Sequence, residues 1–321
     1  MTNDPKIPDV QMHLATPAEP VTGTIVLSEL CTKGKSSSFV RHVSIDLSGT
    51  PLEGNFWAGQ SFGIIPPGED EKGRPHKVRL YSVASPRWGE DGQGKVISTT
   101  PKRLIDEYSP ADEEEDDRHE LFLGVCSNYL CDLKPGDKVK VTGPSGKRFL
   151  LPTDHEAHDY LFLATGTGIA PFRGMCMELF EGKNGPCKSQ VHLVMGAPYS
   201  TDLLYDDLFE RLEKDHPNFH YHRVISRETG PVNAKGRYVH HYLDNQIQQH
   251  RDFLANPRTL MYICGLAGMQ VGIFQMLGAN QLGENYFTVH EELEGIDPKD
   301  WTDQQIKRRV RPTRRCMLEV Y

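Results

Sequence analysis

A chain of 321 residues exceeds most single cores, so it is expected to fold as two domains of roughly 150 residues each. Its apolar share of 37% and charged share of 25% are ordinary for a globular protein, and no apolar run approaches the roughly 20 residues needed to cross a bilayer. With 44 acids against 36 lysines and arginines the net charge is −8, which argues against a general nucleic-acid binder, because no domain has the basic excess that phosphate contacts require.

Residues 1–20 carry acids and prolines, with neither a basic start nor an apolar segment, and are expected to form a disordered lead-in rather than a secretory or transit signal. Short apolar alternations follow: Gly23-Thr24-Ile25-Val26-Leu27, Val40-Arg41-His42-Val43-Ser44-Ile45, Gln60-Ser61-Phe62-Gly63-Ile64-Ile65 and Lys138-Val139-Lys140-Val141. Many short strands parted by Gly and Pro turns predict a small antiparallel β-barrel over residues 21–152. Within it, Arg79-Leu80-Tyr81-Ser82 lies between Val78 and Val83-Ala84-Ser85-Pro86 and reads as a strand that a proline ends. Alternation puts Arg79 and Tyr81 on one face, where a guanidinium can take a phosphate and a phenol ring can stack on a flat group. Ser82, on the opposite face, adds a hydroxyl for a ring nitrogen. An ordinary strand with a snorkelling arginine and a core tyrosine would show the same four residues. The six acids from Asp112 to Asp117 read as a solvated loop.

After Pro152 fully apolar strands, Tyr160–Ala164, Val191–Met195 and Leu260–Cys264, alternate with helical segments, Phe172–Phe180, Leu203–Lys214 and Met269–Leu277. That alternation predicts a doubly wound α/β domain with a parallel sheet over residues 153–321. Its opening turn, Thr165-Gly166-Thr167-Gly168-Ile169-Ala170-Pro171, follows a strand and precedes a helix, so its glycines let the backbone approach a ligand and the helix start offers amides to a pyrophosphate. A tight strand-to-helix turn is the plainer alternative. The full Gly-x-Gly-x-x-Gly pattern is absent, and no acid closes the next strand to hold a ribose 2′-hydroxyl. Instead a third strand, His222-Arg223-Val224-Ile225, ends in Ser226-Arg227, with Lys235, Arg237 and Tyr238 following. Cations beside an aromatic ring suit a 2′-phosphate and a stacked adenine, hence NADP(H) rather than NAD(H), though a solvated basic loop has the same composition. The seven scattered cysteines read as reduced thiols of a cytoplasmic protein, and Cys126-x4-Cys131 has no flanking cysteines to complete a metal set.

In chain order, Arg79-Leu80-Tyr81-Ser82, Gly124-Val125-Cys126-Ser127-Asn128-Tyr129-Leu130-Cys131-Asp132-Leu133, Gly166-Thr167-Gly168-Ile169-Ala170-Pro171-Phe172, Ser226-Arg227, Cys264-Gly265-Leu266 and the terminal Glu319-Val320-Tyr321 resemble plant-type ferredoxin-NADP(+) reductases, in the manner of a bacterial member of the plastidic-like class. The resemblance runs from about Gly23 to Tyr321. It implies an FAD-binding barrel, then an NADP-binding domain, with the flavin between them. By the same resemblance Arg79 serves the pyrophosphate, Tyr81 the isoalloxazine and Ser82 its reactive nitrogen, with Leu80 in the same segment. Val125, Cys126 and Ser127 line the FAD phosphate and ribitol, and Thr167 stands at the flavin–nicotinamide junction. Lys102, in Thr100-Pro101-Lys102, matches a lysine that contacts NADP phosphates. Thr100, Thr165, Gly166, Gly168, Gly265 and Leu266 complete the expected cofactor contacts. Cys264 and Ser82 flank the nicotinamide carbon and the flavin nitrogen, Glu319 polarises or relays a proton, and Tyr321 stacks on the ring until NADP(H) displaces it.

Departures from the pattern are local. Asp106 stands where these enzymes carry a tyrosine for the FAD adenine, with Tyr108 two residues on. Arg237 and Tyr238 are adjacent rather than separated by one residue, so either the loop is shortened or the pair shifts in register. The basic stretch Lys307, Arg308, Arg309, Arg311, Arg314, Arg315 either docks an acidic carrier or is a solvated surface. The expected activity exchanges electrons between NADP(H) and a ferredoxin or flavodoxin, carried out by a cytoplasmic monomer with FAD and without metal, nucleic acid or integral membrane segment. Two others share the residues: a reductase component for a dedicated oxygenase or other partner, whose fused iron–sulfur cysteines are missing here, and a non-catalytic flavin-binding subunit, against which Ser82, Cys264 and Tyr321 weigh.

Overall fold

The computed structural model describes residues 4–36, 38–107, 121–229 and 236–321. The chain divides into two compact units, Gln11–Ser145 and Gly146–Tyr321, the second joined by Met1–Val10. The boundary therefore falls before the apolar Phe149-Leu150-Leu151, not after it. Phe149 packs edge-on against Tyr262 at 5.3 Å, and the Tyr262 hydroxyl donates to the Leu150 carbonyl at 2.7 Å, so this segment is core of the second unit. The lead-in expected to be disordered is fastened instead. Ala15 is 3% exposed and exchanges backbone bonds with Gly143 at 2.9 and 3.0 Å, and the Lys6 carbonyl accepts from the Thr153 amide at 2.9 Å.

The first unit contains β1 (Val21–Leu30), β2 (Arg41–Asp46), β3 (Ser61–Ile65), β4 (Arg79–Ser82), β5 (Val96–Thr99), β6 (Ile105–Glu107), β7 (Leu121–Leu123), the helix α1 (Val125–Asp132) and β8 (Lys138–Ser145). Six strands form an antiparallel sheet in the order β4-β3-β8-β1-β2-β5, while β6 and β7 pair with each other. The end strands β4 and β5 are joined as well: the Ala84 amide donates to the Ser98 carbonyl at 2.8 Å and Thr99 Oγ1 to the Ser82 carbonyl at 2.9 Å. Those bonds close the sheet into a barrel and remove its edges. Ile25, Val43, Ile45, Phe62, Ile64 and Val141 fill its interior, and α1 lays Cys126 and Leu130, one turn apart, on the same core.

In the second unit β9 (Asp159–Thr165), α2 (Ala170–Glu181), β10 (Val191–Ala197), α3 (Asp206–Asp215), β11 (Phe219–Ile225), α4 (Val239–Asn245), α5 (Ile247–Ala255), β12 (Thr259–Gly265) and α6 (Ala267–Ala279) alternate as anticipated. A small antiparallel pair, β13 (Phe287–Val289) with β14 (Val310–Pro312), brackets α7 (Asp303–Arg309), and the chain closes on β15 (Cys316–Val320). The parallel sheet runs β11-β10-β9-β12-β15. Helices on both faces bury its strands, and Tyr160, Phe162, Leu163 and Ala164 are each 0% exposed, which is why β9 reads as one apolar run. The helix expected from Leu203 starts three residues later, because Ser200–Asp202 forms a 3-10 turn and Tyr205 takes a left-handed conformation with φ 57°. Strand β15 was not anticipated from sequence. It pairs in parallel with β12, and it carries the C-terminal residues onto the sheet.

Candidate active site

In the barrel unit β4 is held by β3, with Arg79 opposite Ile64, Leu80 opposite Gly63, Tyr81 opposite Phe62 and Ser82 opposite Ser61. Leu80 points out, 61% exposed, whereas the Tyr81 ring leans on the barrel core. The Tyr81 hydroxyl interacts with the Cys126 thiol, and the Arg79 charge acts on both. Burial is the first cause that lifts the phenol and the thiol above their usual ranges, so both stay neutral near pH 7. Strand β4 and the start of α1 thus meet in one cluster.

Gly124, the residue before α1, is extended, no side chain caps the helix, and its first turn holds no acid. The amides of Val125, Cys126 and Ser127 are the helix-start donors that suit an anion, and Arg79 supplies a full charge beside them. Only glycine fits at 124, since a Cβ would stand 2.7 Å from Ser127 Oγ and 2.8 Å from Leu104 Cβ. Amide donors and a cation are the groups an anion needs. The apolar alternations in sequence predict no helix here, although the i, i+4 pair Cys126 and Leu130 is the signal that marks it.

Lys102 forms an antiparallel bridge with Val40 and its side chain is exposed, while its neighbour Arg103 is committed to Asp132 and lies over the Phe39 ring at 4.9 Å. Thr100 is buried, at 4% exposure. Tyr108, the acids Asp112–Asp117 and Lys235 lie outside the described residues.

In the second unit the strand order reverses between β9 and β12, and ligands of such sheets bind in the crevice at that switch point, beyond the carboxyl ends of the strands. The segments 165–168 and 264–266 stand there, interlocked. The Leu266 amide donates to Thr165 Oγ1 at 3.0 Å. Gly168 is glycine because a Cβ would sit 2.2 Å from the Cys264 carbonyl oxygen, and Gly265, at φ +135°, because a Cβ would sit 2.2 Å from Thr165 Oγ1. These two glycines therefore serve contact between the turns. Gly166, at φ +53° with open space around it, is the one that gives a ligand room.

Tyr321 lies across this edge. Its amide donates to the Gly265 carbonyl at 3.0 Å, its carbonyl accepts from the Ala267 amide at 3.2 Å, and its hydroxyl bonds Thr167 Oγ1 at 2.8 Å. Tyr321 as a whole stays 64% exposed, so its ring is accessible. Beneath it Cys264 and Glu319 are direct partners across β12 and β15. Burial, followed by the Glu319 charge, pushes the Cys264 thiol well up, and burial alone raises the Glu319 carboxyl. The thiol is buried and the carboxylate half-buried.

At the end of β11 the Ser226 and Arg227 amides donate to the Ala197 and Pro198 carbonyls, both at 2.9 Å, which fixes the Ser-Arg corner on the end of β10. Arg237 reaches back to the Ser226 carbonyl at 3.2 Å and 3.3 Å, so Ser226, Arg227 and Arg237 gather despite the shortened spacing. Tyr238, next to them, is 51% exposed at the start of α4. Two guanidinium groups, a hydroxyl and an open ring match a phosphorylated ribose with an attached base.

Comparison with known proteins agrees with this geometry. The oxidoreductase NAD-binding domain family matches residues 162–274. A ferredoxin–NADP reductase of Synechocystis sp. is 36% identical over all of this chain and 73% of its own length, and the chloroplastic root isozyme 1 of Arabidopsis thaliana is 41% identical over 88% of this chain and 74% of its own. A ferredoxin–NADP reductase of Spirulina sp. is 35% identical over 98% of this chain and 99% of its own. The fold is also that of a solved reductase from Plasmodium falciparum with 2′P-AMP, at a TM-score of 0.69 and 22% identity over 96% of this chain and 99% of that one. Sequence identity of 35–36% over nearly its whole length places this chain in the ferredoxin–NADP reductase family.

Proposed function

We propose that this protein is an FAD-dependent oxidoreductase that exchanges electrons between NADP(H) and a one-electron carrier, a ferredoxin or a flavodoxin. The observation that carries the reading is Tyr321 bonded to Thr167 over the Cys264–Glu319 pair, at the switch point of a sheet whose next edge gathers Ser226, Arg227 and Arg237. Bound FAD supplies the chemistry of taking a hydride as an electron pair and returning electrons singly. The chain's own residues bind and orient. Arg79 and the α1 amides hold a pyrophosphate, Tyr81 and Ser82 offer a ring and a hydroxyl to a flavin, Lys102 takes an NADP phosphate, and Ser226, Arg227 and Arg237 take the 2′-phosphate. Thr167 holds Tyr321 until a nicotinamide takes its place, and the half-buried Glu319 retains or releases a proton beside Cys264.

Of the basic stretch near the C-terminus, Arg315 is turned inward, bonded to the Asn256 and Thr259 carbonyls at 2.9 and 3.1 Å, and so leaves the docking set. Lys307 and Arg309 are paired with Asp303 and Glu292 at 2.8 and 2.7 Å, whereas Arg308 and Arg311 stay exposed for an acidic carrier. No helix among the described residues is long and apolar enough to cross a membrane, and all seven cysteines are free thiols. The test is anaerobic mixing of the FAD-loaded protein with NADPH, followed by ferredoxin or flavodoxin. Bleaching of the flavin absorbance and reduction of the carrier are expected; a flavin that stays oxidised under NADPH would overturn the reading.

A further inference from the structure

The exposed Tyr238 ring does not stand alone. His240 lies offset and nearly parallel to it, centroids 5.8 Å apart at 16°, and His241 flanks it at 5.3 Å and 51°. His240 and His241 touch edge-on at 4.3 Å. On its far side the His240 imidazole rests on α6 at Gly272, where a Cβ would stand 2.4 Å from Nδ1, 2.6 Å from Cγ and 2.7 Å from Cε1. The absent side chain at 272 is the space the ring occupies. His240 Nδ1 is buried there and finds no hydrogen-bond partner among the described residues, so the imidazole is held by packing as a flat plate. Burial, and then the neighbouring His241, push its titration down to about 4. At neutral pH it therefore brings no charge toward the 2′-phosphate cations.

We propose that His240 is a positioning residue for the nucleotide: wedged between the bare backbone of Gly272 and the Tyr238 ring, it fixes that ring so that its open face receives a flat heterocycle, the adenine of NADP(H). The inference rests on Tyr238 serving the adenine, and it adds why a half-exposed tyrosine at the start of a seven-residue helix keeps one orientation. A ring free to rotate would lose rotamer entropy on each binding event; a backed ring has already lost it. Aromatic pairs of this kind contribute about two- to tenfold in an equilibrium constant beyond the area they bury.

The test is affinity of the FAD-loaded full chain for 2′-phospho-AMP, with the thermal midpoint recorded for each variant and NADPH kinetics beside it. Tyr238→Ala is expected to weaken binding by about tenfold or more. His240→Ala should weaken it by about three- to tenfold and raise KM for NADPH rather than lower kcat, and His240→Phe should return it to within about twofold of the parent. Gly272→Ala, which displaces the imidazole, should match His240→Ala, and the two together should be no worse than either alone, because the second change has no ring left to move. The cycle still reads through His240→Phe and Gly272→Ala if His240→Ala does not fold. Normal affinity in His240→Ala or Gly272→Ala while Tyr238→Ala binds weakly would overturn the positioning role and leave the adenine site standing. Normal affinity in Tyr238→Ala would overturn the adenine site and the proposal with it.

Discussion

At Gly168 a side chain would press on the Cys264 carbonyl, a backbone atom that cannot swing away, whereas at Gly166 it would meet nothing and suffer only the φ of +53°. Gly168→Ala is therefore expected to cost about 3 kcal/mol of stability and Gly166→Ala about 1 kcal/mol, measured by denaturant unfolding. Equal losses would show that the contact with Cys264 does not constrain the turn. Tyr321 carries a second residue-scale prediction. A nicotinamide has to break the 2.8 Å bond to Thr167 and move the ring aside, so Tyr321→Ser should bind NADP(+) more tightly and discriminate less against NAD(+). Equilibrium titrations of both nucleotides check this, and unchanged affinities would remove Tyr321 from the nicotinamide site. The side chains of this site were readable one by one in sequence as Thr167, Cys264, Glu319 and Tyr321. Their spacing in the chain said nothing of the β12–β15 register that makes Cys264 and Glu319 partners.

Among elements, the face between β10, β11, α4 and α5 holds four histidines, and the charges that act on His192 are those of the other three. His192 Nδ1 and His222 Nε2 are 3.2 Å apart, His220 and His250 lie 4.5 and 5.4 Å from the His192 ring, Tyr242 stacks on His222 at 5.2 Å, and Phe253 closes the group. Burial first, and then the three other imidazoles, hold His192 down to about 2. In the unfolded chain it titrates at about 6.5. Between those values the unfolded state binds the extra proton, so stability is intact above about pH 6.5 and falls as pH drops, by up to about 1.4 kcal/mol per pH unit for such a histidine. Urea midpoints at pH 7.5, 6.5 and 5.5 should show the decline, and His192→Gln should flatten it; an unchanged slope would mean that other groups set it. The sheet and its flanking helices were legible from apolar runs, but the start of α3 was not, because the left-handed Tyr205 and the 3-10 turn before it break a stretch whose composition is helical throughout.

For the whole molecule, charge is distributed against its sum. A chain of net charge −8 keeps Arg308 and Arg311 exposed near its C-terminus, so association with an acidic carrier should be steered and screened. Ferredoxin reduction rates are expected to fall several-fold as salt rises from about 50 to 300 mM, since the Debye length shrinks below about 10 Å, and Arg308→Glu with Arg311→Glu should remove most of that dependence. A salt response identical in the double variant would place the carrier elsewhere. The amino-acid sequence by itself determined the two-unit plan, because strand periodicity, the glycine turn after β9 and the alternation of apolar strands with helices are local properties that burial imposes on composition. It also supplied the candidate side chains of the site, since phosphate, flat rings and hydride chemistry each demand particular residue types. Only the tertiary structure decided which of those chains meet: Tyr81 with Cys126, Cys264 with Glu319, Arg237 with Ser226, and Arg315 turned inward away from the surface. Those outcomes depend on strand register, on helix starts and on which buried polar groups find partners, and all three are settled by contacts between residues far apart in the chain.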